Sequence, residues 1–196
     1  MSFILEIDDV ISPDMCKYVI NLFENNNTKA EDGGVVDQNN KIVLDTKTKL
    51  TKDLYLSKHE EFRGISSILN NIAKESLTKY IEYLEKTCLA TTFMLDTRLS
   101  CTVPQIQKYE KGGYFNWHSD AGTCDERLIA YIIYLNTLNE EDGGSTMFAN
   151  GRIVKPVQGK ILFFPCGFPY IHKGEKIKNN TKYIISGFFC KYKHKK

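Results

Sequence analysis

An α+β fold is predicted, with a barrel or double-sheet jelly roll in the C-terminal half braced by helices from the N-terminal half. Two observations predict it. Apolar residues in the first half recur at helical spacing, and after about Leu99 the texture changes to short β-rich runs separated by turn signals. The runs number eight: VPQIQKYE, YFNWH, RLIAYIIYLN, STMFAN, RIVKPV, KILFFP, PYIHK and KYIISGFFCKY. With 196 residues, 42% of them hydrophobic and 12% aromatic, the chain has material for one well-filled core and is short for two. No internal repeat, low-complexity segment or linker divides it. The expectation is one domain over 1–196: mainly helical support with a few strands over 1–98, a β core over 99–190, and a basic tail over 191–196.

Ser12-Pro13-Asp14 reads as a helix start, a capping serine followed by proline in the first turn, and Cys16, Ile20 and Phe23 then recur at i, i+4 and i+7. That helix should end near Asn25. The stretch from Asn26 to Lys41 is polar, carries Gly33-Gly34 and shows no periodicity, which predicts a mobile loop. A longer helix should carry Ile65, Ile68, Leu69, Ile72, Leu77, Ile81 and Leu84 along one stripe, with Lys74, Glu75, Lys79 and Glu82 outward. In the β half, turns are expected at Gly112-Gly113, Asp142-Gly143-Gly144, Asn150-Gly151, Gln158-Gly159 and Asn179-Asn180, where the backbone must adopt positive φ. Leu128, Ala130, Ile132 and Tyr134 alternate with Ile129, Tyr131, Ile133 and Leu135, so both faces of that strand look covered and it should be central.

Lys+Arg of 26 against Asp+Glu of 24 leaves a net charge of +2, too near balance to call for a polyanionic partner, and no nucleic-acid partner is expected. The six cysteines, Cys16, Cys88, Cys101, Cys124, Cys166 and Cys190, form no CxxC pair. Met1 to Asp9 lacks a basic region followed by an apolar run, and no apolar stretch approaches membrane-spanning length. A cytoplasmic location with mostly buried, reduced thiols, and no membrane association, is therefore expected.

The chemistry is concentrated in His118-Ser119-Asp120, His172 and Lys182. Extended chain alternates sides, so His118 and Asp120 can aim an imidazole nitrogen and a carboxylate oxygen at one point, and a distant histidine completes the set. Two histidines and one carboxylate cover one face of an octahedral metal and leave the other open, the arrangement of non-haem Fe(II) sites that use oxygen. Trp117 should point away from the metal, toward core or rim packing, and His59 has no partner pattern.

The ordered set Tyr109, Gly112, Phe115, His118, Asp120, Arg127 before Tyr134-Leu135-Asn136, Gly143-Gly144-Ser145-Thr146, His172 and Lys182 resembles the Fe(II)/2-oxoglutarate-dependent dioxygenases of the prolyl 4-hydroxylase type, across about Thr102 to Phe189. The resemblance implies a double-stranded β-helix of two four-stranded sheets. It implies catalytic iron held by His118, Asp120 and His172, and 2-oxoglutarate held by Lys182 with Tyr109 and Thr146, Tyr134 being a further candidate. It also implies O2 as co-substrate, ascorbate as reductant, succinate and CO2 as products, and a peptide or protein containing proline as substrate. Arg127 matches a position near the substrate entrance.

Two positions depart from enzymes that act on peptidyl proline: Phe115 stands where they carry tyrosine and Phe188 where they carry tryptophan. Both lie on the substrate side of the family's cleft. Free amino acids, other side chains or small metabolites are therefore alternative substrates, and a barrel-fold module that only holds a metal or partner is the alternative of another class.

Overall fold

The structure, a computed structural model, describes residues 2–36, 41–88, 99–121 and 126–191. In chain order the principal elements are β1 (Leu5–Ile7), α1 (Pro13–Asn25), β2 (Glu31–Asp32), β3 (Val35–Val36), β4 (Ile42–Val43), β5 (Lys49–Leu50), β6 (Lys52–Tyr55), α2 (Arg63–Thr87) and β7 (Leu99–Cys101). There follow β8 (Gln105–Tyr109), β9 (Tyr114–His118), β10 (Arg127–Tyr134), β11 (Thr146–Phe148), β12 (Ile153–Val154), β13 (Ile161–Pro165), β14 (His172–Gly174) and β15 (Lys182–Lys191).

Helix α1 starts as its sequence dictates. Ser12 Oγ accepts from the Met15 amide and Pro13 occupies the first turn, a cap contributing about 1 kcal/mol. It buries Cys16, Val19 and Phe23, with Ile20 half-buried. Helix α2 turns a different stripe inward from the one its large aliphatics suggest. Ile65, Leu69, Ala73, Leu77, Tyr80 and Leu84 are buried, whereas Ile68 is exposed and Ile72 and Ile81 are half-buried. A run of 65, 69, 73, 77, 80 and 84 keeps closer to 3.6 residues per turn, and it admits Tyr80, whose ring stacks on Phe163 at 5.1 Å and whose hydroxyl donates to the Phe3 carbonyl.

Two sheets pack face to face. The larger has eight strands in the order β1-β13-β10-β15-β8-β6-β2, with β7 also on β15, and the smaller has five in the order β12-β11-β14-β9-β5. This is the double-stranded β-helix with its sheets widened. Strands β1, β2 and β6 extend the larger sheet and β5 the smaller, so the first half does more than supply helices. The stretch from Asn26 to Lys41, expected as an unstructured loop, contains a 3-10 turn at Asn27–Lys29, β2 and β3; residues 37–40 lie outside those described. Strand β10 is central, flanked by β13 and β15. Its Ile129, Tyr131 and Ile133 face the helix layer, while Ala130 and Tyr134 join Tyr109, Phe148, Phe164 and Ile184 in a second core.

The glycine turns follow the sequence expectation: Gly112, Gly143, Gly144, Gly151, Gly159 and also Asn180 have positive φ. Five cysteines are described, all as free thiols; Cys16 and Cys166 are buried and Cys88, Cys101 and Cys190 only half-buried, fewer buried than expected. Cys124 and the tail over 192–196 lie outside the described residues. Among the described residues no helix is long and apolar enough to cross a membrane.

Candidate active site

The site is seated on four strands. Strand β9 delivers His118, β14 delivers His172, β11 delivers Thr146 and β15 delivers Lys182 at its first residue. His118 and His172 are register partners across β9 and β14, which brings two residues 54 positions apart side by side. Asp120 lies two residues beyond the end of β9. Its carboxylate meets both rings, Oδ1 at 3.6 Å from His118 Nε2 and Oδ2 at 3.7 Å from His172 Nε2. One ligand atom from each of the three residues lies within 4.8 Å of the others.

Simple alternation does not produce this arrangement. Between β9 and β14 the register advances two residues from His172 to Gly174 but three from His118 to Phe115, so β9 carries an extra residue, a β-bulge. The bulge brings Phe115 and His118 together, with rings stacked at 3.5 Å and 9°. Trp117 is turned outward, 46% exposed beneath the Lys173 ammonium, so it belongs to the surface rather than the core. The bulged backbone also fixes the His118 tautomer. Nδ1 lies 2.8 Å from the Asn116 carbonyl oxygen, which can only accept, so Nδ1 carries a proton and Nε2 is the nitrogen turned toward Asp120. His172 Nδ1 faces the Tyr170 carbonyl at 3.1 Å with the same result. Burial pushes His172 down to about 4, so its imidazole is neutral at neutral pH. Burial alone would raise the Asp120 carboxyl, yet the two imidazoles and the Arg127 guanidinium outweigh it and hold that group below its ordinary value. A neutral-imidazole and carboxylate set is what a divalent transition metal requires.

The three residues open on a cavity of about 760 Å³, and Lys182, Tyr109 and Thr146 line it as well. Lys182 is 2% exposed and makes no ion pair among the described residues; its ammonium donates to the Gly144 carbonyl at 2.9 Å and lies 4.1 Å from the centre of the Tyr109 ring. Burial pushes it down to about 7, with distant Glu175 countering only in part. The positive φ at Gly143 and Gly144 matters here. A Cβ on Gly144 would come within 2.7 Å of Ile177 and 2.8 Å of Leu138, so only glycine lets this backbone pass beside the lysine. Gly174 joins the two ends of the site: a Cβ built there would lie 3.7 Å from both Lys182 Nζ and Phe115 Cβ.

Burial holds the Tyr109 phenol well above its ordinary value, so it remains a donor; its hydroxyl currently donates to Gln107 Oε1 at 2.9 Å. Tyr134 stands differently from the sequence expectation. It is absent from the cavity lining, and its hydroxyl bonds Thr146 Oγ1 at 2.7 Å, so it acts behind Thr146. Arg127 lines the cavity, with Nη1 donating to the Asp120 carbonyl at 3.3 Å and its guanidinium 4.1 Å from the Phe188 ring centre. His59 packs edge-on against Phe62 and is absent from the cavity lining.

Sequence reasoning missed Lys49, which lines the cavity 5.1 Å from the Phe115 ring and pairs with buried Asp53 at 2.5 Å. It stands among other lysines in a polar run, and only the β5–β9 pairing of Lys49 with Phe115 reveals its place.

Residues 104–190 match the family model of the 2OG-Fe(II) oxygenase superfamily. The superfamily implies Fe(II), 2-oxoglutarate and O2, and the donors described above fit the metal. Among solved structures, the fold is similar to that of a viral collagen prolyl hydroxylase from Paramecium bursaria Chlorella virus-1 in complex with 2OG, at 17% identity and a TM-score of 0.66, covering 97% of each chain. It is similar to a Pseudomonas putida prolyl-4-hydroxylase at 13% identity and a TM-score of 0.68, covering 98% of this chain and 95% of that one. It is also similar to a Trichoplax adhaerens prolyl hydroxylase in complex with a hypoxia inducible factor oxygen degradation domain peptide fragment, at 16% identity and a TM-score of 0.71, covering 97% and 84%. No curated protein matches the chain.

Proposed function

We propose that the protein is an Fe(II)- and 2-oxoglutarate-dependent dioxygenase that hydroxylates a prolyl residue in a peptide or protein. The observation that carries the reading is a buried lysine without an ion-pair partner among the described residues, in the same cavity as a His-Asp-His cluster. A lone ammonium in such a place is costly unless an anion arrives to match it.

In this reading His118 Nε2, His172 Nε2 and an Asp120 oxygen hold the metal, and the Asn116 and Tyr170 carbonyls keep the rings aimed. Bound iron with 2-oxoglutarate and O2 supplies the oxidising power that places a hydroxyl on an unactivated C–H bond, while 2-oxoglutarate becomes succinate and CO2. Lys182 receives the far carboxylate in a charge-assisted bond, and Tyr109 and Thr146 add hydroxyl donors. Tyr134 orients the Thr146 hydroxyl from behind. Ala130, Ile132 and Ile184 give the cavity an apolar wall.

The prolyl substrate is supported by the fold shared with prolyl hydroxylases and by a cavity wider than a five-carbon diacid needs. Phe115 and Phe188 favour the second reading, the same chemistry on a free amino acid or small metabolite, because the expected phenol and indole are missing from the substrate side. The test is succinate formation from 2-oxoglutarate with ascorbate present, offering proline-rich peptides and free proline in parallel. Product mass then shows which substrate gains one oxygen. An His118→Ala protein should be inactive, and equal turnover in that variant would refute the assignment.

A further inference from the structure

The two histidines of the site are held by different means. His172 is enclosed, its side chain 5% exposed, with Phe164 at 4.6 Å and Phe148 at 5.6 Å between ring centres. His118 stands at the end of a bulged strand with its side chain 15% exposed, and Phe115 stacks flat on it. Phe115 is itself only half-buried, so something must hold it.

The residue beside it is Lys49. Lys49 and Phe115 are register partners across β5 and β9, and the Lys49 ammonium lies 5.1 Å from the Phe115 ring centre, within range of a cation–π contact. The ammonium is fixed in turn by Asp53 at 2.5 Å, whose other oxygen accepts from Thr51 Oγ1 at 2.8 Å. Lys49 is 4% and Asp53 0% exposed. The backbone closes over the pair at Gly33, where a Cβ would lie 2.0 Å from Thr51 Oγ1 and 2.9 Å from Lys49 Cε. A buried ion pair of this kind adds little net stability compared with apolar residues of the same volume, so its worth lies in the geometry it imposes.

We propose that Asp53, Lys49 and Phe115 form a brace that sets the plane of the His118 imidazole, making Lys49 a positioning residue for the metal site. The proposal rests on the metal site assigned above. The Nδ1 bond to the Asn116 carbonyl fixes one edge of the ring and leaves rotation about that bond; the Phe115 stack removes it.

The experiment is anaerobic titration with Co(II) as a probe of the Fe(II) site, following its visible absorption. A Lys49→Met/Asp53→Asn double variant removes both charges at nearly constant volume, and folding is checked by circular dichroism. It should bind Co(II) about tenfold more weakly, as expected when the groups behind a metal ligand are lost, with an altered Co(II) spectrum. Lys49→Arg, which keeps a cation beside the ring, should restore the wild-type spectrum. If the double variant fails to fold, Phe115→Leu tests the same brace at its half-exposed end. It should weaken Co(II), and Phe115→Tyr should not. Wild-type affinity and spectrum in a folded double variant, or in Phe115→Leu, overturn the brace. Binding that survives His118→Ala unchanged overturns the underlying site instead, and the two failures are thus distinct.

Discussion

The inner and outer ends of the cavity are built on opposite principles. At the inner end Lys182, Tyr109, Thr146 and His172 are all less than 5% exposed, and each is fixed by a hydrogen bond or ring contact. At the outer end the lining includes Val36, Ile42 and Val103, which are 52%, 68% and 46% exposed, and it is carried by two-residue strands and connections. Chemistry common to a superfamily needs atoms at fixed points, whereas substrate choice needs only a surface of the right character. The difference explains why the inner end carries the likeness to the 2OG-Fe(II) oxygenase family model while the substrate is a proposal.

The contrast can be broken by substitution, with effects expected to shrink from the inner end outward. Asp120→Ala removes a carboxylate oxygen from the metal set and should abolish succinate formation along with Co(II) binding, measured by coupled assay and titration. Lys182→Met should raise the KM for 2-oxoglutarate by about 100-fold, the scale of a buried charge losing its partner. The same variant should raise the Tm of the ligand-free protein at pH 7. The sign follows from Lys182 being pushed down to about 7. Between that value and the ordinary lysine range the unfolded chain binds more protons, so ligand-free stability climbs as pH rises through this window. Lys182→Met should abolish that climb, and pH-resolved melting curves measure it.

Thr146→Val strands the Tyr134 hydroxyl in the core and should cost about 1–3 kcal/mol of stability with a smaller rise in KM than Lys182→Met. The smallest effect is expected at the mouth. Arg127→Gln should alter the KM for an active peptide a few-fold while leaving that for 2-oxoglutarate unchanged. A larger effect on 2-oxoglutarate would mean that Arg127, through the Asp120 carbonyl, belongs to the inner end after all.

The same contrast governs what the sequence disclosed. The turns at Gly112, Gly143, Gly144, Gly151 and Gly159 were readable because positive φ admits few residues. His118, Asp120, His172 and Lys182 were readable by order and type, and the structure gathers all four around one cavity. Tyr134, a further candidate from the family resemblance alone, stands behind Thr146 rather than in the cavity lining, because a match by order does not say what lies in front of a side chain. On α2, Ile68 is exposed and Tyr80, which the expected stripe did not include, is buried, because a large aliphatic residue signals burial only where the helix meets its sheet. The Lys49–Asp53 pair was invisible, since two charges in a polar run look solvated until a neighbouring strand covers them.

The bulge in β9 is the feature with the widest reach. A strand has a reading frame of two, and the extra residue between Phe115 and His118 shifts that frame once, inside the site itself. At the present spacing of three residues, a regular ladder without the bulge would send Phe115 and His118 to opposite faces of the sheet. Selection for the neatest sheet and selection for the site pull in different directions at this point.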